Sequence, residues 1–286
     1  MGPGAAVTGA RSAVQALTGA AARSISPMGA TLWTAELDDG RSVIIKRGTD
    51  GLATAEAAGL RWLAVPGGPP VPKVHGSDDQ WLVADHVPSG RMSADAAERF
   101  GRQLATLHAA GAPAFGEPPP GGPADAWIGT APMRNEAAPD WPSWYAEHRV
   151  LPYLRSAAAS MQGSDVNAVE QVCDRIGELA GPPEPPSRLH GDLWSGNVHA
   201  GADGQVWLID PAAHGGHRET DLAMLALFGT PQLERMLACY DEAAPLADGW
   251  RDRVPLHQLF PLLVHAVMFR GGYGASAGAA ARGALR

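Results

Sequence analysis

The chain has 286 residues, 45% of them hydrophobic and 18% charged, with a formal net charge of −8 and a pI of about 5.6. This length is enough for two lobes with a substantial core, since domains usually contain about 100–200 residues. An acidic surface repels phosphate backbones, so nucleic acid is not an expected partner, and no run approaches the roughly 18–20 apolar residues that a membrane-spanning helix needs.

The first third of the chain predicts a small sheet accompanied by helices. The predicted helices are 7–20 and 52–65, and the predicted strands are 31–37, 41–47 and 81–87. Asp38, Asp39 and Gly40 lie between the first two strands and have the chemistry of a hairpin turn. This order of elements favours a small sheet packed against one helix.

From about residue 93 the apolar pattern becomes mainly helical. The predicted helices are 94–111, 141–154, 164–180, 219–229, 231–243 and 255–269. Residues 112–123 form a Pro/Gly-rich loop, 188–214 have strand–loop–strand character, and the Gly/Ala-rich residues 271–286 predict a loose helix or a partly disordered segment. We therefore predict an α+β N-terminal lobe over 1–87 and a larger, mainly helical C-terminal lobe over 88–286, joined by a hinge near 85–92.

The strand–loop–strand segment carries a pattern of residues suited to phosphoryl transfer. His190, Gly191 and Asp192 are followed five residues after Asp192 by Asn197, and Asp210 follows an apolar run. Phosphoryl transfer needs a carboxylate that orients the attacking hydroxyl and oxygen ligands that hold Mg²⁺ against the nucleotide phosphates. The pattern assigns the first role to Asp192, with His190 in the same catalytic motif, and the metal to Asn197 and Asp210.

Two other interpretations of this cluster are open. One is a site for metal-dependent hydrolysis, which also uses Asp, Asn and His close together. The other is a turn that contains Asp and Asn and has no catalytic role, with His190 as a core residue. A zinc site is disfavoured because His190 and His199 lack a third ligand at helical or knuckle spacing.

A lysine in the N-terminal part supplies a second element of a kinase site. Only Lys46 and Lys73 among the 22 basic residues are lysines, and Lys46 ends the apolar run VIIK. A kinase needs a cation there for the ATP phosphates, fixed by a carboxylate on a helix, and Glu56 is the natural partner. Without the downstream motif, both residues would be read as solvated surface groups.

The rest of the nucleotide site has weaker signals. The segment 26–33 lies where a phosphate-covering loop belongs, but Gly29 is its only glycine and no G-x-G-x-x-G is present. We expect backbone amides near 28–31 to cover the phosphates, and the hinge backbone from Asp85 to Val87 to pair with adenine.

Several segments together resemble the fructosamine kinases, also called ketosamine 3-kinases, within the aminoglycoside-phosphotransferase and protein-kinase-like superfamily. The resemblance rests on LHGDLWSGN (189–197), IDPA (209–212), GHRETDLAMLALFG (216–229) and PLLVHAVMFRGGY (261–273), with shorter fragments upstream, and it covers nearly the whole chain. It implies a bilobal protein-kinase-like fold and ATP with Mg²⁺. It also implies phosphorylation of the 3-hydroxyl of a fructosamine or ribulosamine, whose unstable 3-phosphate then breaks down and frees the amine.

The acceptor side of the site is the least determined. Trp194 lies two residues after Asp192 and is expected to form a platform for the sugar or amine, against the alternative that it packs inward. His214 stands where an aromatic residue is expected in this family, and His217 lies in the loop after the metal strand, so both are candidate substrate contacts. Asp221 is interpreted as a carboxylate that binds the backbone of the catalytic loop.

Three functions therefore remain open from the sequence: a ketosamine kinase, a kinase of the same fold acting on an aminoglycoside, choline or a sugar, and a non-catalytic protein of kinase fold. The expected partner is a small ketosamine or glycated amine, and the oligomeric state is not predicted. The first residues lack a basic region followed by an apolar stretch, and Cys173 and Cys239 fit no metal or redox spacing, so we expect a cytoplasmic protein with reduced cysteines.

Overall fold

The computed structural model describes residues 3–49 and 51–286 and consists of two lobes. In the smaller lobe five antiparallel strands form one sheet in the order β1-β2-β3-β5-β4. The strands are β1 Ala22–Pro27, β2 Leu32–Leu37, β3 Ser42–Arg47, β4 Val74–Ser77 and β5 Trp81–Asp85. The hairpin between β2 and β3 is as predicted, and its Gly40 has a φ of 88°, which glycine adopts at little cost.

The two outer strands of this sheet are not predicted from the sequence. β1 has a single buried residue among six, and the residues of β4 are all half-buried. Neither strand alternates between buried and exposed residues, so the sequence has no apolar alternation that would predict it.

Two helices accompany the sheet. Helix α1, Pro3–Thr18, buries Ala10 and Val14 in a cluster with the sheet residues Trp33 and Val43. Helix α2, Leu52–Leu63, follows β3 and packs on β4 and β5. The buried face of α2 includes Glu56, so the fold itself places a carboxylate beside the sheet.

The connection between the lobes is tied to the larger lobe by hydrogen bonds. Strand β5 ends at Asp85 and the next helix begins at Ala94. Between them, the carbonyl of Val87 accepts from His199 Nε2 at 3.0 Å and the amide of Gly90 donates to Ala200 at 2.7 Å. The predicted boundary after residue 87 lies in this connection and remains a prediction.

The larger lobe contains ten helices and three short two-stranded sheets in the described residues. The helices are α3 Ala94–Ala109, α4 Trp141–Trp144, α5 Leu151–Ala157, α6 Gly163–Asp174, α7 Ile176–Leu179, α8 Arg218–Leu227, α9 Leu233–Ala243, α10 Trp250–His257, α11 Leu259–Phe269 and α12 Tyr273–Ala284, with a π-helical segment, Tyr145–Val150, before α5 and a 3₁₀ turn, Ala158–Ser160, after it. The strands are β6 Asp125–Ile128, β7 Ala131–Arg134, β8 Ser187–Leu189, β9 Val198–Ala200, β10 Val206–Leu208 and β11 His214–Gly216. β6 pairs with β7, β8 with β11, and β9 with β10. None of the described helices combines the length and apolar character that a membrane crossing requires.

The end of the chain differs from the expectation of a loose or partly disordered segment. Helix α12 buries Ala277, Gly278 and Ala281 and packs on α6 and α11. A β carbon on Gly278 would lie 2.2 Å from Asp165 Oδ1, and Arg282 forms an ion pair with the same carboxylate at 2.8 Å. The small residues therefore serve close helix packing, which composition alone does not distinguish from flexibility. The β6–β7 hairpin is likewise absent from the sequence-based prediction, since it follows directly on the Pro/Gly-rich loop.

Candidate active site

The predicted catalytic motif lies on a loop from His190 to Asn197 between β8 and β9, which we call the catalytic loop. The backbone of this loop depends on a glycine. Gly191 has a φ of 81°, and a β carbon there would lie 2.1 Å from the carbonyl oxygen of Ala212. Any other residue would therefore combine backbone strain with a clash.

His190 is buried beneath this loop. Its Nε2 lies 2.9 Å from the carbonyl oxygen of Ile209, which can only accept, so Nε2 carries the proton and Nδ1 faces the amide of Asp192. Burial lowers the pKa of His190 and keeps the ring neutral. The structure places this imidazole as a link between the catalytic loop and β10, and the side chain does not line the cleft.

Asp221, at the start of α8, binds the loop from the other side, as the sequence predicts. Its carboxylate accepts from the amides of His190 and Gly191 at 2.8 and 3.0 Å, and it pairs with His108 at 3.2 Å. Burial opposes its charge, but the bonds from His108 and from the loop amide outweigh burial and lower the pKa of Asp221. The loop is thus held by a buried, ionised carboxylate.

Asp192 and Asn197 meet across the loop. Asn197 Nδ2 donates to the backbone oxygen of Asp192 at 2.8 Å and to its Oδ2 at 3.0 Å. Because both acceptors are oxygens, the amide nitrogen must face them, and the amide oxygen has no hydrogen-bond partner among the described residues. Burial raises the pKa of Asp192 to about 7; the bond from Asn197 opposes the rise, and the nearby Asp210 and Asp221 add to it. A carboxyl group with this pKa is suited to exchange a proton near neutral pH.

Asp210 follows β10 in a conformation that non-glycine residues rarely adopt. Its φ is 54°, one of three positive values outside glycine in the described chain. Such a conformation costs about 1–3 kcal/mol and is characteristic of functional sites. Asp210 Oδ1 accepts from Lys46 Nζ at 2.8 Å, and the side chain is half exposed to the cleft.

Lys46 connects the two lobes. Its Nζ lies 2.9 and 2.8 Å from the two carboxylate oxygens of Glu56 on α2 and 2.8 Å from Asp210 in the other lobe. Burial opposes the ammonium charge, but the carboxylates of Glu56 and Asp210 outweigh burial and raise the pKa of Lys46. The predicted pair of Lys46 and Glu56 is thus present, and Lys46 is protonated.

Two cavities meet at Lys46, Glu56 and Asp210. The first, which we call the hinge cavity, lies under the sheet and is also lined by Met28, Leu32, Ile44, Leu60, Pro72, Asp85, His86, Val87, Ser89, His199 and Ile209. The second, which we call the loop cavity, lies in front of the catalytic loop and is also lined by Leu52, Ala55, Pro119, Gly122, Pro123, Ala126, Trp127, Gly129, Asp192, Trp194, Asn197, Pro211, Ala212 and Ala213. The lining of both cavities is mainly apolar, and Asp192 and Asn197 line the loop cavity alone.

The hinge residues and Gly29 differ in how they relate to the hinge cavity. Asp85 and Val87 both line it, and the amide of Val87 has no hydrogen-bond partner among the described residues. Gly29 does not line it, and its amide donates to the carbonyl of Leu32 at 3.1 Å, as does that of Met28 at 2.9 Å. The turn between β1 and β2 therefore uses these two amides internally, and Met28 reaches the cavity through its side chain instead.

The three residues predicted to contact the acceptor have different positions. Trp194 lines the loop cavity and is 38% exposed, with its ring over Gly196, so it does not pack inward. His214 and His217 are buried and line neither the loop nor the hinge cavity. His214 Nδ1 bonds the carbonyl of Ala212 at 2.9 Å, so it supports the wall of the loop cavity from behind.

His217 belongs to a buried cluster behind the site. It caps α8, and its ring lies 4.9 Å from that of His257, which in turn lies 3.3 Å from Glu219. The three side chains offer ligand atoms within 4.8 Å of one another, which is a spacing that suits a metal ion. Arg253, however, donates to both oxygens of Glu219 at 2.9 and 2.6 Å, so the cation of this cluster is already a guanidinium.

Some lining residues are missed by reasoning from the sequence. Trp127 lines the loop cavity from the unpredicted hairpin, and Pro119 and Gly122 come from the Pro/Gly-rich loop before it. His199 lines the hinge cavity and anchors Val87. No local pattern marks these residues, because their position depends on how distant segments pack.

A five-stranded antiparallel lobe, a mainly helical lobe and an ion-paired lysine at their junction define a phosphotransferase of the protein-kinase-like fold. The crystal structure of choline kinase LicA from Streptococcus pneumoniae shares this fold with a TM-score of 0.62 at 16% identity, covering 96% of this chain and 97% of that one.

Comparison at higher identity gives the family. The profile described as fructosamine kinase matches residues 43–286. A crystal structure titled "putative fructosamine-3-kinase" from Thermobifida fusca YX-ER1 has a TM-score of 0.91 at 48% identity, covering 96% of this chain and 98% of that one. The protein named "Probable ketoamine kinase YniA" of Escherichia coli (strain K12) is 35% identical over 224 residues, which are 76% of this chain and 75% of that protein. The chain belongs to the fructosamine kinase family and is an ATP-dependent small-molecule kinase.

Proposed function

We propose that this protein transfers the γ-phosphoryl group of ATP to the 3-hydroxyl of a ketosamine, with a ribulosyl- or fructosyl-amine as acceptor. The observation that carries the proposal is the meeting of the two cavities at Lys46, Glu56 and Asp210. A nucleotide in the hinge cavity would direct its phosphates toward this junction, and an acceptor in the loop cavity would approach from the side of Asp192.

The nucleotide side has groups for both ends of ATP. The free amide of Val87 is a donor for an adenine nitrogen, while Leu32, Ile44 and Ile209 offer apolar walls to the base. Lys46 is a half-buried, protonated donor for the phosphates. We do not assign Gly29 a phosphate contact, because its amide is used within its own turn.

Magnesium fits the oxygen donors at the junction. Asn197 has an amide oxygen without a partner, and Asp210 has one carboxylate oxygen bound to Lys46 and the other not hydrogen-bonded among the described residues. Hard oxygen donors of this kind suit Mg²⁺, which usually binds through one or two protein ligands together with substrate phosphates. When bound, the ion would neutralise charge that develops on the transferred phosphoryl group.

Asp192 is the proposed catalytic residue on the acceptor side. Its carboxylate lines the loop cavity, held by Asn197, and its raised pKa suits a group that accepts the hydroxyl proton. His190 and Asp221 act through the loop as positioning residues. His214 and His217 are not proposed as direct contacts, because both are buried behind the cavity wall.

The lining of the loop cavity supports an acceptor with few positive charges. Apart from Glu56, Asp192 and Asp210, its described residues include no carboxylate. Glu56 and Asp210 are already paired with Lys46, so a polycationic aminoglycoside would find only Asp192 as an unpaired acidic group there. A ketosamine has several hydroxyl groups and one amine nitrogen. Asp192 can bind a hydroxyl group of such an acceptor, and Trp194 can pack against its amine. Phosphorylation at the 3-position then leads to breakdown of the ester and release of the amine, that is, deglycation.

A panel assay of ATP consumption tests this proposal. Purified protein with Mg²⁺ and ATP is offered fructosyl- and ribulosyl-amines, aminoglycosides, choline and unmodified sugars, and the product is identified by ³¹P NMR. We expect turnover with ketosamines and a phosphate ester at the 3-position, and none with Asp192→Asn. Turnover of an aminoglycoside or choline without any ketosamine would refute the acceptor while leaving the kinase in place.

A further inference from the structure

An aromatic patch lies on the larger lobe beside the catalytic loop. It consists of Phe228 after α8, His265 and Phe269 on α11, and Tyr273 at the start of α12. The rings contact one another: His265 lies 4.9 Å from Phe228, 5.5 Å from Phe269 and 5.1 Å from Tyr273, measured between ring centroids. The patch is therefore one continuous surface built from three segments.

Phe269 is the exposed residue of this patch, and Phe228, His265 and Tyr273 are half-buried. Only three large hydrophobic side chains of the described residues are exposed, namely Met28, Trp194 and Phe269. Phe269 is 60% exposed, and Trp194 adjoins the patch with its ring 6.2 Å from Phe228 in an edge-on arrangement. Two of the three thus belong to one surface. Clustered exposed aromatic groups of this kind indicate a binding site rather than chance exposure.

The loop cavity adjoins the patch at Trp194 and also lies against helix α11 at Gly129. Trp194 lines the cavity and contacts Phe228. Gly129 also lines the cavity, and a β carbon there would lie 2.8 Å from the terminal methyl of Met268, next to Phe269 on α11. A molecule that fills the loop cavity and extends past Trp194 therefore reaches the patch.

The patch is uncharged and has a cation at its border. His265 Nδ1 lies 2.7 Å from the carbonyl oxygen of Pro261 and donates to it, and burial lowers the pKa of His265, so the ring is neutral. Arg270 is exposed beside Phe269 and forms no ion pair within the described residues. This arrangement favours apolar and aromatic groups and disfavours a second positive charge.

We propose that the aromatic patch binds the substituent on the nitrogen of the ketosamine and selects amines with an apolar, above all aromatic, substituent. The inference rests on the proposed function, which places the sugar in the loop cavity with its 3-hydroxyl at Asp192. In a ketosamine one carbon separates carbon 1, which bears the nitrogen, from carbon 3. The nitrogen and its substituent therefore extend from the reacting hydroxyl past Trp194, toward Phe228 and Phe269.

Ketosamines that differ only at nitrogen test the inference. The N-methyl and N-benzyl derivatives of the same sugar are compared by kcat and KM in the wild type and in the variants Phe269→Ala, Phe269→Leu and Phe269→Tyr. We expect the benzyl compound to have a KM about three- to tenfold lower than the methyl compound, the range that one aromatic contact gives. Phe269→Ala should remove this preference, Phe269→Leu should retain part of it, and Phe269→Tyr should keep it. Because Phe269 is 60% exposed, the melting temperature should hardly change.

Each outcome separates the inference from the function on which it rests. If no ketosamine is phosphorylated, the proposed function fails and the inference fails with it. If both compounds are phosphorylated with equal KM, or Phe269→Ala changes both equally, the inference is overturned and the proposed function stands. If a glycated lysine peptide is strongly preferred over the benzyl compound, the aromatic patch binds a protein substrate, and the inference is overturned. A change of oligomeric state in Phe269→Ala, measured by light scattering, without a change in selectivity would also overturn it.

Discussion

Replacing Lys46 by Met removes the cation that a buried carboxylate depends on, and we expect the loss to appear in stability as well as in turnover. Glu56 is 8% exposed, and both its oxygens accept from Lys46, at 2.9 and 2.8 Å. A charge left unpaired at this depth costs about 3–5 kcal/mol. Burial raises the pKa of Glu56, however, so in the variant this carboxylate can bind a proton instead of remaining a buried, unpaired charge.

Protonation of Glu56 limits how much stability the Lys46→Met variant can lose, and this limit depends on pH. A glutamate in the unfolded chain has a pKa of about 4.3, and holding it protonated costs about 1.4 kcal/mol for each pH unit above that value. The limit is thus about 4 kcal/mol at pH 7 and about 2 kcal/mol at pH 6. Since the folded variant then binds more protons than the unfolded chain, its stability relative to wild type rises as the pH falls.

Urea unfolding followed by tryptophan fluorescence at pH 6, 7 and 8 measures this effect. The variants are Lys46→Met, Glu56→Gln and the double variant, with Lys73→Met as a matched control, since Lys73 is the only other lysine and is exposed. We expect the double variant to recover most of the stability and to lose the extra pH dependence, while turnover stays abolished. Equal stability of Lys46→Met and wild type at pH 8, or a loss that Glu56→Gln does not relieve, would refute the reasoning.

Three further predictions concern the catalytic loop and the residues behind it. Asp192→Asn should keep the fold and ATP binding but lower kcat by at least about 10²–10⁴-fold, the contribution of a general base. Trp194→Ala should mainly raise KM for the ketosamine and leave the melting temperature nearly unchanged, because the side chain is 38% exposed. Burial lowers the pKa of His214 and of His217 to about 3, so the free energy of unfolding should fall as the pH drops below about 6.5, by about 2 kcal/mol for each imidazole at pH 5.

The measurements that would contradict these predictions are direct. An Asp192→Asn enzyme with most of its kcat would remove the carboxylate from catalysis. A Trp194→Ala variant that loses about 3–5 kcal/mol of stability would mean that the indole is a core residue. For the histidines, the test is urea unfolding between pH 7 and pH 5 in the wild type and in His214→Gln, which should be less sensitive to acid. Equal acid sensitivity of the two proteins would mean that His214 does not contribute to the loss of stability at low pH.

The catalytic loop was predictable from the sequence because its chemistry is local. His190, Gly191, Asp192 and Asn197 lie within eight residues, and the backbone that joins them determines their spacing. Lys46 was predictable for another reason, since a chain that uses arginine for nearly all its cations has a lysine at the end of an apolar strand. Its partner then followed from the helix that comes next.

Side-chain direction was not predictable in the same way. His214 and His217 follow closely on the predicted metal ligand Asp210 in the sequence. However, β11 pairs with β8 and α8 starts at Arg218, which turns both rings into the interior. The family resemblance gave their place along the chain and not the face on which they lie. Gly29 shows the same limit, because a glycine at the expected position contributes its amide to a turn and not to the cavity.

The proposed acceptor side of the cleft shows why substrate selectivity is harder to predict from a sequence than a catalytic motif. Its surfaces come from the β6–β7 hairpin, the catalytic loop, the residue after α8 and the α11–α12 junction. Phe228 and Phe269 are 41 residues apart, and no spacing rule connects them to Trp194. The hairpin, the residue after α8 and the α11–α12 junction lie outside the loop that holds Asp192, and that loop is fixed by Asp221 and Gly191. If the aromatic patch selects the amine as we propose, a change of amine preference requires substitutions at Phe228 or Phe269 and leaves Asp192 in place.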